Sequence, residues 1–170
     1  MKRRTPGILG LCWLLLSSFT NNVPIRSDFQ NGMNTEEGLK SILNNTTYPS
    51  SNLTLAYKGV ASCMSAEYAT FPTTKWSYFS DGKENLDKAV KASPMNPEIR
   101  YARLLIQLNV PSFLMYNSNV TVDLAKFRLH LPKYSVSLVW KKRFIDNLLT
   151  SKRITESQKN TLTKLKNELK

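Results

Sequence analysis

Residues 96–110, NPEIRYARLLIQLNV, decide the fold. Asn96 is a favoured N-cap residue, and Pro97 and Glu98 suit the first two positions of a helix. The stretch predicts a helix over about 97–109 that is apolar around most of its circumference. One side of this helix carries Ile99, Ala102, Ile106 and Val110, and most of the rest carries Tyr101, Leu104, Leu105 and Leu108. We expect such a helix to be buried over much of its surface.

The preceding segment has two apolar faces of different size. Large apolar residues recur at steps of three and four over residues 53–71, which predicts a helix. Small residues recur in the same way on a second face, at Ala56, Gly59, Cys63 and Ala66. We expect this helix to pack against two neighbours, with close approach on the small face. Cys63 is interpreted as inert packing rather than as a reactive thiol.

The remaining segments complete an all-α prediction with a single helical domain over 35–170. Asn34 is expected to cap a helix over 35–44, and a helix over about 74–92 directs Trp76 inward. Residues 120–131 fit either a helix or a strand, and helix is preferred because the neighbouring segments are helical. Three more helical segments are predicted, a single turn at 112–116 and helices over about 134–150 and 155–169.

The first residues predict export. Lys2, Arg3 and Arg4 precede a short apolar run, ILGLCWLLL, which is typical of a secretory signal peptide at 1–20 cleaved after Ser18 or Thr20. The run is about half the roughly 20 residues that a membrane-spanning helix needs. We therefore expect a periplasmic or secreted protein with no transmembrane segment after leader removal. Residues 21–34 are expected to form a flexible lead-in.

The positive charge is concentrated at the end of the chain. The 170 residues include 24 Lys and Arg against 12 Asp and Glu, a net charge of +12. Residues 133–170 hold 10 basic and 3 acidic residues, a net +7, and the leader carries another +3. No aromatic residues interleave with the lysines of the last predicted helix, as they do in many nucleic-acid sites, so no nucleic-acid partner is expected. If the leader is removed, Cys63 is the only remaining cysteine.

One candidate binding surface lies on the 97–109 helix. Arg100, Arg103 and Gln107 share one side of it, and Asn109 and Tyr116 follow. A guanidinium presents a planar fork that suits carboxylate or phosphate, so these five residues are a candidate anion-binding groove. The alternative is an internal polar network in which Arg103 pairs with a carboxylate and pins the helices together, the candidates being Glu67, Asp87 and Asp123.

The basic C-terminal helices are a second candidate. Their cationic residues are Lys141, Lys142, Arg143, Lys159, Lys166 and Lys170. Lipid head groups, acidic glycan or an acidic partner in the cell envelope would be attracted to such a surface. The alternative is a solvated face that aids solubility.

Two resemblances add to this interpretation. Gly82, Leu86, Ala89 and Pro94 have the spacing of the second half of a tetratricopeptide repeat. Residues 94–116, PMNPEIRYARLLIQLNVPSFLMY, together with the leader and the helical tail, resemble a family of short, exported, all-helical bacterial proteins that remain uncharacterised. The resemblances imply export and antiparallel helix pairs in a tetratricopeptide-like, right-handed stack. They imply no activity.

The pattern as a whole favours an exported, non-enzymatic interaction module. No carboxylate pair, nucleophile–base pair or metal cluster is visible, and neither a cofactor nor a metal is predicted. The alternative function is binding of anionic envelope lipid or glycan through residues 133–170. The two differ in what they require, because a module that binds a protein needs an exposed apolar groove whereas an envelope binder needs only an exposed basic face.

Overall fold

The computed structural model describes residues 23–170, and the predicted leader lies outside them. The described part of the chain is all-helical, as predicted. Two short 3₁₀ turns, Ser112–Leu114 and Leu131–Lys133, connect helices near the C-terminal half. The helices are α1 (Pro24–Gly32), α2 (Glu36–Asn44), α3 (Asn52–Ser65), α4 (Pro72–Ala92), α5 (Pro97–Gln107), α6 (Val120–His130), α7 (Leu138–Leu149) and α8 (Glu156–Glu168).

Helix α5 is the centre of the fold. Every residue from Pro97 to Gln107 is buried, and α3, α4, α6 and α7 all pack against this helix. Asn96 caps it by accepting hydrogen bonds from two backbone N–H groups, as the sequence predicts. On one side the ring of Tyr101 stacks on Phe144 of α7, with centroids 4.6 Å apart. The predicted burial of this helix is therefore confirmed.

Helices α3 and α4 form a closely packed antiparallel pair. A Cβ atom added to Gly82 would lie 2.5 Å from both the Gly59 carbonyl oxygen and the Cys63 Sγ atom. The hydroxyl of Ser62 donates to the Tyr78 carbonyl oxygen at 2.8 Å across the same crossing. The small face of α3 thus lies against α4, and one glycine from each helix, Gly59 and Gly82, permits an approach that any larger residue would prevent.

Helix α1 corrects the expectation of a flexible lead-in over 21–34. Within the described residues, Pro24 occupies the first turn of a helix whose Ile25 and Phe29 are fully buried. These two residues are four positions apart and therefore lie on one helix face. The asparagines and glycine of this segment suggested a loop, but the burial of Ile25 and Phe29 and the ion pair of the buried Arg26 with Glu98 dock it as a short helix.

Three further details differ from the predictions. Helix α3 ends at Ser65 rather than near residue 71, so Tyr68 and Phe71 lie in the exposed connection to α4. Trp76, predicted to point inward, is 61% exposed. Thr35, not Asn34, caps α2. Residues 120–130 are helical, which decides the helix–strand alternative at that segment.

The two C-terminal helices close the domain on the other side. Leu162, Leu165 and Leu169 are buried against the core, and Thr155 and Gln158 form a capping box at the start of α8. Within residues 23–170, no helix has both the length and the apolar content needed to cross a membrane.

The glycine contact between α3 and α4 predicts a large effect of one added methyl group. We expect Gly82→Ala to destabilise the protein by about 1–3 kcal/mol, because the new Cβ atom overlaps backbone atoms of α3 that cannot rotate away. Urea denaturation of the variant would measure this change. Ser80→Ala, on an exposed position of the same helix, is the control and should change stability little. An unchanged midpoint for Gly82→Ala would contradict the close crossing.

Candidate functional site

An apolar groove of about 690 Å³ lies where the C-terminal end of α5 meets the N-terminal end of α4. We call it the apolar groove. Leu105, Ile106 and Val110 line it from α5 and the residues that follow. Its other apolar residues come from α1, α3, α4 and the first 3₁₀ turn: Met33, Met64, Trp76, Phe79, Phe113 and Leu114. With Asn147 and Lys152 from α7 and the loop after it, the groove brings together residues from six parts of the chain.

The unequal lengths of α3 and α4 account for one part of this surface. Measured from the glycine crossing, α4 begins ten residues before Gly82, whereas α3 ends six residues after Gly59. At about 1.5 Å per residue, the first turn of α4 projects about 6 Å beyond the end of α3. Trp76 lies six residues before Gly82, level with the end of α3, and is 61% exposed.

Phe113 exposes another large apolar surface at the groove. It lies in the 3₁₀ turn that follows Pro111 and is 79% exposed. The turn ends at Met115, whose φ of 50° places it in the left-handed region. A non-glycine residue in that conformation costs roughly 1–2 kcal/mol, so the fold retains a strained residue beside an exposed aromatic ring.

The charged residues of the groove lining are few. Lys75, Lys152 and Glu67 are exposed, and none of the three forms an ion pair with any residue between 23 and 170. Cys63 also borders the groove, but burial and the nearby Asp87 raise the pKa of its thiol to about 12. At neutral pH the thiol is protonated, so the chemistry of this site is apolar contact rather than nucleophilic attack.

The predicted arginine site lies elsewhere on α5, inside a network of ion pairs. Arg103 donates two hydrogen bonds to Asp123, each 2.7 Å long, and a third to Asp87 at 3.0 Å. Arg100 also pairs with Asp123 and donates to the Pro94 carbonyl oxygen at 2.8 and 3.0 Å. Asp123 is completely buried. Both guanidiniums are therefore engaged by groups of the protein itself.

Tyr116 joins this network, whereas Gln107 and Asn109 do not. The Tyr116 hydroxyl donates to Asp87 at 2.9 Å. Asn109 instead donates to the Leu105 carbonyl oxygen and accepts from the backbone N–H of Lys152, which ties α5 to the loop after α7. Gln107 is buried, and neither polar atom of its amide has a partner in the described part of the chain. The structure thus separates the five residues of the predicted anion site into three environments.

A second buried network is centred on Glu98, a residue whose position in the sequence predicts only the start of a helix. Arg26 donates to both of its carboxylate oxygens, at 2.6 and 2.7 Å. Tyr57 and Tyr134 donate their hydroxyls to the same carboxylate at 2.7 and 2.9 Å. One carboxylate therefore connects α1, α3, α5 and the segment before α7. The residues around Glu98 in the sequence are mostly apolar, which indicated that its carboxylate would be buried and would therefore need hydrogen-bond or charged partners.

Burial and these contacts shift the pKa of several network residues. Burial alone would lower the pKa of Arg103, but the hydrogen bonds and charge of Asp123 outweigh it, so the pKa is raised. Burial raises the pKa of Tyr57 and Tyr134, and the negative charge of Glu98 raises both further. Arg103 therefore remains charged, and Tyr57 and Tyr134 remain neutral, across the physiological range.

The basic C-terminal residues do not form a continuous uncompensated face. Lys159 pairs with Glu156 at 2.7 Å, and Lys166 pairs with Asp146 of α7. Lys141 donates to the Pro132 carbonyl oxygen at 2.7 Å. The Arg143 guanidinium lies 5.0 Å from the centre of the Trp140 ring. Lys142 and Arg143 border a polar depression of about 690 Å³ between α1 and α7, and Lys170 is exposed at the end of the chain.

Comparisons with family models, with curated proteins and with solved structures gave no match for this chain. Within residues 23–170, no group of His, Cys, Asp and Glu side chains is arranged to hold a metal ion. The apolar groove, the two buried networks and the basic residues are therefore the features from which a function is inferred.

Removal of the Arg103 side chain tests the buried network. We expect Arg103→Ala to lose about 3–5 kcal/mol of stability, because the change leaves the fully buried Asp123 without its bidentate partner. Thermal and urea denaturation would measure the loss. Arg128→Ala, at an exposed position of α6, should be close to neutral. An Arg103→Ala variant as stable as this control would contradict a structural role for the network.

Alkaline pH provides an independent test. The pKa values of Tyr57, Tyr101, Tyr116 and Tyr134 are all raised above the ordinary value of 10.0. Above about pH 10 the unfolded chain loses these protons while the native state retains them, so the free energy of unfolding falls as pH rises. Tyr134→Phe should reduce the pH slope of the unfolding free energy between about pH 10 and 11. The same slope in wild type and variant would contradict this assignment.

Proposed function

We propose that this protein is an exported, non-enzymatic interaction module that binds a protein partner in the apolar groove. The observation that carries the proposal is the groove itself, where Trp76 and Phe113 expose most of their side chains beside a buried apolar floor. Contiguous exposed apolar surface with a polar border is typical of a protein interaction site. Large aromatic side chains in such patches frequently contribute much of the binding energy.

The rigidity of the groove supports the same function. Its floor is the end of α5, which is held by Glu98 near its start and by Arg103 near its middle. At its C-terminal end, the Leu108 carbonyl oxygen accepts a hydrogen bond from the backbone N–H of Arg153 at 2.9 Å. A surface that is already ordered before binding loses less conformational entropy when a partner docks.

Export and the finer architecture are parts of the proposal. The leader pattern at 1–20 supports a periplasmic or secreted location, and the resemblance to short exported helical proteins is in accord with it. The close α3–α4 crossing at Gly82 supports a tetratricopeptide-like, right-handed stack, since Gly82 occupies a small-residue position of that repeat.

Binding of anionic envelope lipid or glycan is the second candidate function. The observation in its favour is the polar depression that Lys142 and Arg143 border, since neither forms an ion pair with a carboxylate of the described chain. Internal pairing of Lys159 and Lys166 reduces the charge available for a wider basic face. The proposal involves neither nucleic acid nor a cofactor.

A pull-down from the native cell envelope separates the two functions. The wild type is compared with a groove variant, Trp76→Ala, and with a tail variant, Lys142→Ala with Arg143→Ala, at low and high salt. A groove-bound partner is held by apolar contact, so we expect wild type and tail variant to retain the same protein at high salt and the groove variant to lose it.

Two other results would contradict the groove function. Retention of the partner by Trp76→Ala would show that the groove is not the binding surface. Capture of lipid or glycan that disappears at high salt and in the tail variant would favour the anionic-envelope alternative.

A further inference from the structure

The occupant of the apolar groove can be assigned a chemical class. We propose that it is an amphipathic helix of a partner protein, with acidic residues at the borders of its apolar stripe. This inference rests on the proposed function, because it names the partner chemistry of the same groove. Three properties of the groove carry it: its open form, the kind of apolar residues that line it, and the charges at its border.

The form of the groove suits one face of a helix. Trp76, Phe113, Lys75 and Lys152 all belong to its lining and are all exposed, so the apolar floor is open to solvent on one side. An amphipathic helix buries one apolar stripe and leaves its polar face in water, which matches a groove with one open side. A small apolar ligand favours a site that covers most of its surface.

The apolar lining is able to adapt to a row of side chains. Met33 and Met64 contribute flexible thioether side chains, and Leu105, Ile106 and Leu114 contribute branched ones. Methionine fills irregular gaps and is abundant in grooves that accept helices. Residues at positions i, i+3, i+4 and i+7 of a helix form a stripe of the kind that such a surface accommodates.

The charges at the border select acidic residues. Lys75 lies on α4 and Lys152 lies in the loop after α7, so two separate elements each bring a positive charge to the groove. Among the described residues that line the groove, Glu67 is the only acidic one. Neither lysine is paired with a carboxylate of the described chain, whereas Lys159 and Lys166 are paired elsewhere on the surface. Two unpaired lysines against one glutamate favour a partner that carries carboxylates.

The polar side chains of the lining do not offer a competing mode of recognition. Asn109 uses its amide nitrogen on the Leu105 carbonyl oxygen and on the Ser151 hydroxyl, and its amide oxygen accepts from Lys152. Asn147 donates to Gln30 and to the Tyr101 hydroxyl. Because these amide groups are already engaged within the protein, the lysines are the principal source of polar selectivity in the groove.

Two designed peptides test the inference on the full-length protein. Both are fluorescently labelled helices of about 20 residues with the same leucine stripe, and they carry either glutamates or lysines at its borders. Fluorescence anisotropy measures their affinities. We expect the glutamate peptide to bind more tightly, and Trp76→Ala to weaken its binding at least about tenfold. Val139→Ala, at a 66%-exposed position outside the groove, is the matched control and should bind as the wild type does.

Charge reversal tests the role of the two lysines. The double variant Lys75→Glu with Lys152→Glu should bind the glutamate peptide about tenfold more weakly and bind the lysine peptide more tightly, because two attractive surface pairs become repulsive ones. The control Lys91→Glu with Lys170→Glu makes the same change in net charge outside the groove lining and should retain the wild-type preference. Circular dichroism confirms that each variant is folded.

Several results would overturn the inference. Equal binding of both peptides would do so, as would a control pair that reverses the preference equally well. Dodecanoate serves as a small apolar probe, and its Trp76-dependent binding without any peptide binding would also contradict the acidic helix. So would the absence of binding by every probe. The envelope pull-down decides the proposed function independently. A Trp76-dependent protein partner combined with equal binding of both peptides would preserve that function and exclude only the acidic helix.

Discussion

The ion pairs and hydrogen bonds carried by α5 are the constraint on which the rest of the structure depends. Glu98 and Asp123 are completely buried, and a buried charge is tolerated only when partners and hydrogen bonds compensate for its lost hydration. Glu98 receives four hydrogen bonds from Arg26, Tyr57 and Tyr134, and Asp123 receives three from Arg100 and Arg103. These hydrogen bonds join α5 to α1, to α3, to α6 and to the segment before α7, so the contacts that satisfy the buried charges also fix the positions of the neighbours of α5.

This arrangement explains how a small helical domain can keep an apolar groove without collapsing onto it. The end of α5 forms the floor, and the networks hold α5 in place from within. The glycine crossing sets the position of α4 against α3, so the first turn of α4 projects beyond the end of α3. Trp76 follows this turn, level with the end of α3, and is exposed.

The fold was more predictable from the sequence than the candidate site was. Residues 96–110 indicate the central helix directly, since N-capping and apolar content depend on neighbours in sequence. The small face around Gly59 likewise indicates a close helix contact, although its partner Gly82 is 23 residues away. Helix α1 was missed because the tertiary contacts that dock this Asn- and Gly-containing segment, the burial of Ile25 and Phe29 and the ion pair of Arg26 with Glu98, are not visible in the local sequence. The groove was missed because Trp76 fits an inward helical position, and nothing local shows that it lies at the end of the α3–α4 pair, where it is exposed.

By itself, the sequence determined the helical class, the central position of residues 97–109, the location of the excess positive charge and the presence of arginines that needed acceptors. These properties follow from the periodicity and composition of short segments. Only the tertiary structure decided that Arg103 pairs with Asp123 and Asp87, that Glu98 joins four elements, and that Trp76 and Phe113 border one groove. The physical reason is that each of these contacts joins residues distant in sequence, so it depends on how far each helix extends and which neighbour covers it.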